Sequence, residues 1–317
     1  MTYIGQSVRR FEDPRLLTGQ GSYVDDIKLP GLLHAAVLRS PHAHANIRSI
    51  DGSTASRLPG VVVVFTAADI QDLAVELPTR TNTGADELNP PRHPVLASDK
   101  VCYVGQAVAV VVAEDQYSAA DALGQILVDY EILPVVIEPN EALKEGSTIV
   151  HSDLGSNISL RTLNSGGDLD TAFAKADHVV RQTYQVQRLA PAPMEPRGVV
   201  ADYQPEDDLL TVWDSTQHPH HVREHLVHLL SRTYEGTRVV APDVGGGFGE
   251  KGCLFSEEVL VPYLAVVLGR PIKWMENRQE NMTAFHGRGH SMEVQAAVKS
   301  DGTILGIRVH IVADLGA

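Results

Sequence analysis

Residues 238–276 read RVVAPDV, then GGGFGEKG, then CLFSEEVLVPYLAVVLGR, then PIKWME. This is a β-branched run, a turn with five glycines in eight residues (245–252), a run with amphipathic helical spacing, and a second strand. Glycine tolerates positive φ and lets a backbone come close to a ligand. Such a turn opening a helix would aim free N–H groups at an anion. Just upstream, TVWDSTQHPHH (211–221) ends another strand at Thr216 and Gln217. The Gln217 amide can donate to an oxo or phosphate oxygen. Both stretches are expected to face one place.

Working outward, residues 291–317 pattern as two strands joined at Asp301-Gly302, a hairpin signal, with Ala317 inside an apolar, strand-like run. Upstream, GDLDTAFAKADHVV predicts a short helix and VVRQTYQVQ a strand. An alternating strand carries Leu210 and Val212. Residues 218–236 form a helix with Leu226, Leu229 and Leu230 as its buried stripe. Nearer the start, LLHAAVLRS (32–40) is a strand. GVVVVFTAADI is a buried strand running into a helix start at Thr66. Residues 71–99 form a polar, proline-containing segment of the length that loops with a function or an interface reach. KVCYVGQAVAVVVA, EDQYSAADALGQIL and VDYEILPVVI make a strand–helix–strand unit. Residues 138–157 have linker composition. The class is α/β (α+β), divided as 1–140, a linker over 141–157, and 158–317.

With 317 residues, 43% hydrophobic and 21% charged, the chain has material for two cores. A net charge of −14 argues against nucleic acid or an anionic membrane surface as the main partner. No basic segment followed by an apolar one opens the chain, and no apolar run is long enough to span a bilayer. The expectation is therefore an unexported, cytoplasmic protein without a membrane span. Cys102 and Cys253 make neither a disulfide framework nor a C-x-x-C site, as in a reducing compartment. Any iron–sulfur cluster must sit on another polypeptide.

Several chemistries compete for these residues. GFGEKG (247–252) satisfies G-x-G-x-x-G and Glu276 ends the following strand, as in a Rossmann dinucleotide-binding module. About 65 residues after the turn are too few for such a sheet. A Walker A loop is excluded because Lys251 precedes Gly252 rather than Ser or Thr. His221, His225 and His228, near His218 and His220, share a helix face that could hold zinc, though the leucines opposite favour a solvated face. His42 and His44 fit alternation along an exposed loop or strand edge. Glu195 in PMEPRG either pairs with Arg197 or caps a turn, and no acid–base work is assigned to it.

Taken together, GQSVRRFEDPRLLTGQGSYVDDI (5–27), RSPHAHANI (39–47), APMEPRGVVADY (192–203), STQHPH (215–220), APDVGGGFGEKG (241–252) and PIKWMENRQE (271–280) resemble successive signatures of one family. They are similar to the large subunit of the molybdenum hydroxylases (xanthine dehydrogenase and aldehyde oxidase), nearest the carbon-monoxide-dehydrogenase-like branch. The resemblance covers nearly the whole chain in the family's order. It implies an N-terminal α/β hammerhead domain followed by the first part of a molybdopterin-binding domain. The implied cofactor is molybdenum-molybdopterin, in bacteria usually the cytosine dinucleotide form, with the metal held by the pterin. Gln217 would approach the oxo ligand, while Gly246, Gly247, Phe248 and Gly249 lie against the metal centre and pterin. The implied reaction is hydroxylation of an aldehyde, heteroaromatic or similar small substrate with oxygen from water. Electrons would leave through a 2Fe-2S subunit and an FAD subunit.

The departures are also specific. Family large subunits are more than twice this length, and their general base lies in the part that would follow Ala317. No catalytic residue is therefore assigned here. The chain alone is expected to be inactive, completed by the remaining molybdenum domain, whether as a fragment or a split subunit. A scaffold or assembly role is the non-enzymatic alternative. Gly252 stands where purine-oxidising members carry an acidic substrate contact, which argues against a xanthine-type pocket. Leu189-Ala190 replaces a histidine-containing stretch common before APMEPRG.

Overall fold

The computed structural model describes residues 3–73, 76–78 and 85–316. Ala317 and part of the 71–99 segment lie outside the described residues.

A mixed seven-stranded sheet organises the fold. Its strands run in the order Thr237–Val240, Leu209–Asp214, Gly198–Gln204, Ile272–Met275, Leu33–Arg39, Ala107–Ala113, Val61–Thr66. The sheet takes strands from both sides of residues 141–157. The join is the parallel pairing of Leu33 with Ile272 and His34 with Lys273. Ala107–Ala113 is buried at every position, as an all-apolar AVAVVVA run must be when both its faces are covered. The main core cluster accordingly mixes Leu33, Val110 and Val112 with Val199, Leu210, Leu260 and Trp274.

Smaller sheets flank this one. His178–Leu189, Gly287–Val298 and Ile304–Ala313 form a three-stranded antiparallel sheet, with the expected hairpin at Asp301-Gly302. Ala45–Asp51 pairs with Lys100–Val101 and Leu127–Ile132 in another. The strand–helix–strand reading therefore holds element by element, with the helix at Gln116–Leu123, but its two long strands belong to different sheets. Asp115 caps that helix by accepting from the amides of Tyr117 and Ser118.

Three local expectations are corrected. The helix start at Thr66 is a turn: Asp69 accepts from the Thr66 amide and hydroxyl, both at 2.8 Å, and satisfies them without a helix. His44 is buried rather than exposed; its Nδ1 lies 2.7 Å from the Pro134 carbonyl. The helix after the glycine turn, Ser256–Leu268, is buried on most sides instead of one face, because the sheet and neighbouring segments enclose it.

Strand direction decides what gathers at one edge of the large sheet. Leu209–Asp214 and Thr237–Val240 run parallel, with Trp213 opposite Val240. The segments that follow both strands therefore leave the same edge. Gly198 pairs with Met275 and Val199 with Asp214, so Glu195 and Arg197 approach, and Glu276 departs, at that edge as well. In open sheets containing helices, this carboxyl edge is where backbone is free of the ladder and ligands can be held.

Candidate cofactor site

Gln217 and the glycine turn are in direct contact. Gln217 Oε1 accepts from the Gly249 amide at 2.9 Å, and the Gln217 amide donates to the Lys251 carbonyl at 2.8 Å. A Cβ on Gly247 would lie 2.7 Å from Gln217 Cδ and 2.8 Å from Cγ, and closer still to Oε1. Only glycine admits the side chain there. Gly246 and Gly249 have φ of +99° and +94°, and Phe248 between them is itself left-handed at +52°. That geometry turns the Phe248 ring outward, 74% exposed, at the lip of the turn. All five residues singled out from sequence thus lie together.

Part of their hydrogen-bonding capacity is unused within the described residues. Because Gly249 N–H must meet an acceptor, the glutamine oxygen faces the turn, and its NH2 group has no partner among the described residues. Among the described residues the amides of Gly246, Gly247 and Phe248 have no protein partner. Unpaired backbone amides beside a close-approach glycine fit an acceptor-rich group such as an oxo-metal pterin. They do so without a helix terminus: a 3-10 turn, Glu250–Gly252, follows the glycines, and the helix begins only at Ser256. That helix end is closed by its own Glu258, which accepts from the Phe255 amide at 2.6 Å. The expectation of helix N-terminal amides is therefore corrected to loop amides.

Behind the glycine turn lies a buried charge network that sequence reading did not reach. Arg197, 1% exposed, donates to Glu276 Oε1 at 2.7 Å and Glu257 Oε2 at 3.1 Å, and its Cζ stacks 3.9 Å over the Phe255 ring. Asn281 Nδ2 bridges Glu276 at 2.9 Å and Glu250 at 2.6 Å. Arg39 adds bonds to Glu257 and Glu280. Burial works against ionisation of Glu257, but Arg39 and Arg197 outweigh it and hold the carboxyl at about 2. Burial and the neighbouring Glu276 push Glu250 up to about 7. Burial likewise raises Asp214 to about 7.

The rival chemistries lose their geometry. Glu276 is consumed by Arg197, and its strand is separated from Thr237–Val240 by two others, so no Rossmann unit forms. Glu195 does not pair with Arg197; it meets Lys251 Nζ at 3.0 Å and the Gly245 amide at 2.7 Å. On the helix Pro219–Leu229, Val222 and Leu226 are buried, and His221 and His228 face solvent. No three-ligand metal group occurs among the described residues. The sequence signal that could have pointed inward was the charge of Lys251 beside Glu250 within an apolar context; their partners are tens of residues away.

Residues 150–317 match the family model of the molybdopterin cofactor-binding domain, and residues 18–134 that of the aldehyde oxidase and xanthine dehydrogenase a/b hammerhead domain. The nicotine 6-hydroxylase large subunit of Paenarthrobacter nicotinovorans is 42% identical over 99% of this chain and 38% of its own length. The carbon monoxide dehydrogenase large chain of Hydrogenophaga pseudoflava is 40% identical over 96% of this chain and 39% of its own. Among solved structures, quinoline 2-oxidoreductase from Pseudomonas putida 86 superposes with a TM-score of 0.91 at 40% identity, covering 98% of this chain and 39% of that one. The chain thus spans about two-fifths of the length of these relatives. With both domain models matched in order, the chain belongs to the large-subunit family of the molybdenum hydroxylases.

Proposed function

We propose that this chain is the molybdopterin-binding part of a molybdenum hydroxylase large subunit, acting on an aldehyde, heteroaromatic or similar small substrate. The observation that carries the reading is the Gly247–Gln217 contact, beside which the Gln217 NH2 and the amides of Gly246, Gly247 and Phe248 have no partner among the described residues. When bound, the cofactor supplies two-electron oxidation of a substrate carbon with oxygen from water. The chain's own residues do the holding. Gln217 offers its NH2 to an acceptor oxygen, and Gly246, Gly247 and Gly249 let the backbone approach. Phe248 covers the turn as a rigid wall. The pterin is expected in its cytosine dinucleotide form.

The division into 1–140, 141–157 and 158–317, a cytoplasmic location, and completion by the remaining molybdenum domain, a 2Fe-2S subunit and an FAD subunit belong to the same reading. So does a general base supplied by that remaining part, so that this chain is inactive alone. No helix among the described residues is long and apolar enough to cross a membrane.

The experiment isolates the native assembly through a tag on this chain. Molybdenum is measured by mass spectrometry, pterin as its fluorescent oxidation product, and CMP after acid hydrolysis. Stoichiometric molybdenum and pterin with flavin and iron are expected. An assembly carrying neither molybdenum nor pterin would refute the reading.

A further inference from the structure

Both ends of the glycine turn and the strand end before Gln217 meet at a single oxygen atom. Oε2 of Glu195 accepts from the Gly245 amide at 2.7 Å, from Ser215 Oγ at 2.7 Å and from Lys251 Nζ at 3.0 Å. Lys251 Nζ also donates to Ser215 Oγ at 2.7 Å, closing a ring of three side chains. The backbone reinforces it: the Glu195 amide donates to the Gly245 carbonyl at 3.2 Å. A Cβ on Gly245 would lie 2.5 Å from Glu195 Cβ, so this approach also requires glycine.

What hangs from this node is the candidate site itself. Gly246, Gly247, Phe248 and Gly249 lie between residues 245 and 251, and Gln217 follows Ser215 by two. The Gln217 amide and Thr216 Oγ1 both donate to the Lys251 carbonyl, at 2.8 and 3.2 Å. Moving Lys251 would therefore carry Gln217 with it. Lys251 is fully buried, and its ammonium depends on the nearby carboxylate: burial lowers its pKa and Glu195 opposes that. Glu195 Oε1 is buried without a partner among the described residues, so the holding is done by one oxygen.

We infer that Glu195 is a positioning residue: by holding Gly245, Ser215 and Lys251 on Oε2 it sets the spacing between Gln217 and the glycine turn, and hence the fit of the cofactor. This rests on the cofactor reading above. Among the described residues the Glu195 side chain bonds to Gly245, Ser215 and Lys251 and to none of Gln217, Gly246, Gly247, Phe248 or Gly249, so it acts through the three groups it holds.

The test uses the native assembly with Glu195→Gln, which keeps length and an acceptor but removes the charge opposite Lys251. Ser215→Ala removes one donor and leaves the Lys251–Glu195 pair. Pterin retained per chain after prolonged dialysis, the electron paramagnetic resonance line shape of partly reduced molybdenum, and the unfolding midpoint are read together. Loss of a supporting group around a bound metal typically weakens it about 10- to 100-fold. Pterin loss faster by that order in Glu195→Gln, with an altered line shape in both variants, is expected. Should Glu195→Gln not fold, the Ser215→Ala line shape decides. Wild-type retention and line shape in the variants, or pterin loss that merely follows the unfolding midpoint, overturns the inference. A wild-type assembly without pterin instead overturns the cofactor reading, and this inference with it.

Discussion

A methyl group on Gly247 has nowhere to go. In Gly247→Ala the new Cβ would sit 2.7 Å from Gln217 Cδ, so Gln217 must leave the turn and its bond to the Gly249 amide. The expected result is an assembly that folds but carries little molybdenum or pterin, measured by metal and pterin content against wild type. Gln217→Ala removes the free NH2 without a steric clash. It is expected to lower cofactor retention less than Gly247→Ala, with a change in unfolding free energy within about 0.5 kcal/mol because Gln217 is exposed. Asp214 supplies a pH test. Burial raises its pKa from 3.8 to about 7, Arg197 and Lys251 pull it down, and Glu195 pushes it up; buried Glu258 beside it is raised well above its ordinary range. A carboxyl with a raised folded pKa contributes stability that is full below 3.8 and lost as pH rises through about 7. Asp214→Asn should flatten that part of the melting-temperature profile between pH 5 and 8. His151 has the opposite sign: burial takes it to about 4, so its contribution is present above 6.5 and lost as pH falls. The difference between wild type and Asp214→Asn, rather than either profile alone, removes the His151 contribution and reports Asp214 together with Glu258, whose pKa Asp214 helps to raise. An unchanged slope would contradict a neutral Asp214.

At the scale of elements, the helix Ser256–Leu268 is fixed less by its own faces than by the charges at its start. Glu257, buried with Arg197 and Arg39, ties that first turn to the strands beginning at Gly198 and ending at Arg39. Removing one member of a buried ion network leaves the others uncompensated, at a cost of about 3–5 kcal/mol. Arg197→Met is expected to lose stability of that order in urea denaturation. Glu257→Gln should lose less, because Arg197 keeps Glu276. Equal losses would show that Glu257 carries the network. The element boundaries themselves were largely legible: VVVV, AVAVVVA and the alternating Leu210–Val212 run became strands. Thr66 misled because a threonine ahead of alanines resembles a helix start, whereas Asp69 closed a turn on it first. The helix 256–268 was expected to be amphipathic, yet its two glutamates, Glu257 and Glu258, are buried and engaged.

For the whole molecule, the shared seven-stranded sheet links the residues before and after 141–157 through the Leu33–Ile272 pairing. The described core cluster runs across that pairing without a break. Calorimetry of the native chain should therefore show one cooperative transition for both portions. Two separated transitions would mean that the portions on either side of the linker are independently stable.

The sequence by itself determined the kinds of element, the hairpin at Asp301-Gly302 and the family, and it put forward Gln217 and residues 246–249 as one candidate site. It could do so because periodicity, turn chemistry and ordered short signatures are local. Only the tertiary structure decided that the amides left without a partner among the described residues belong to the loop 246–248 rather than to a helix end, that Glu276 belongs to Arg197, and that Glu195 holds Gly245, Ser215 and Lys251 together. Those partners are 20 to 79 residues apart. They meet because parallel and antiparallel strands bring their ends to one sheet edge, and strand order is a property of the assembled chain that no local pattern carries.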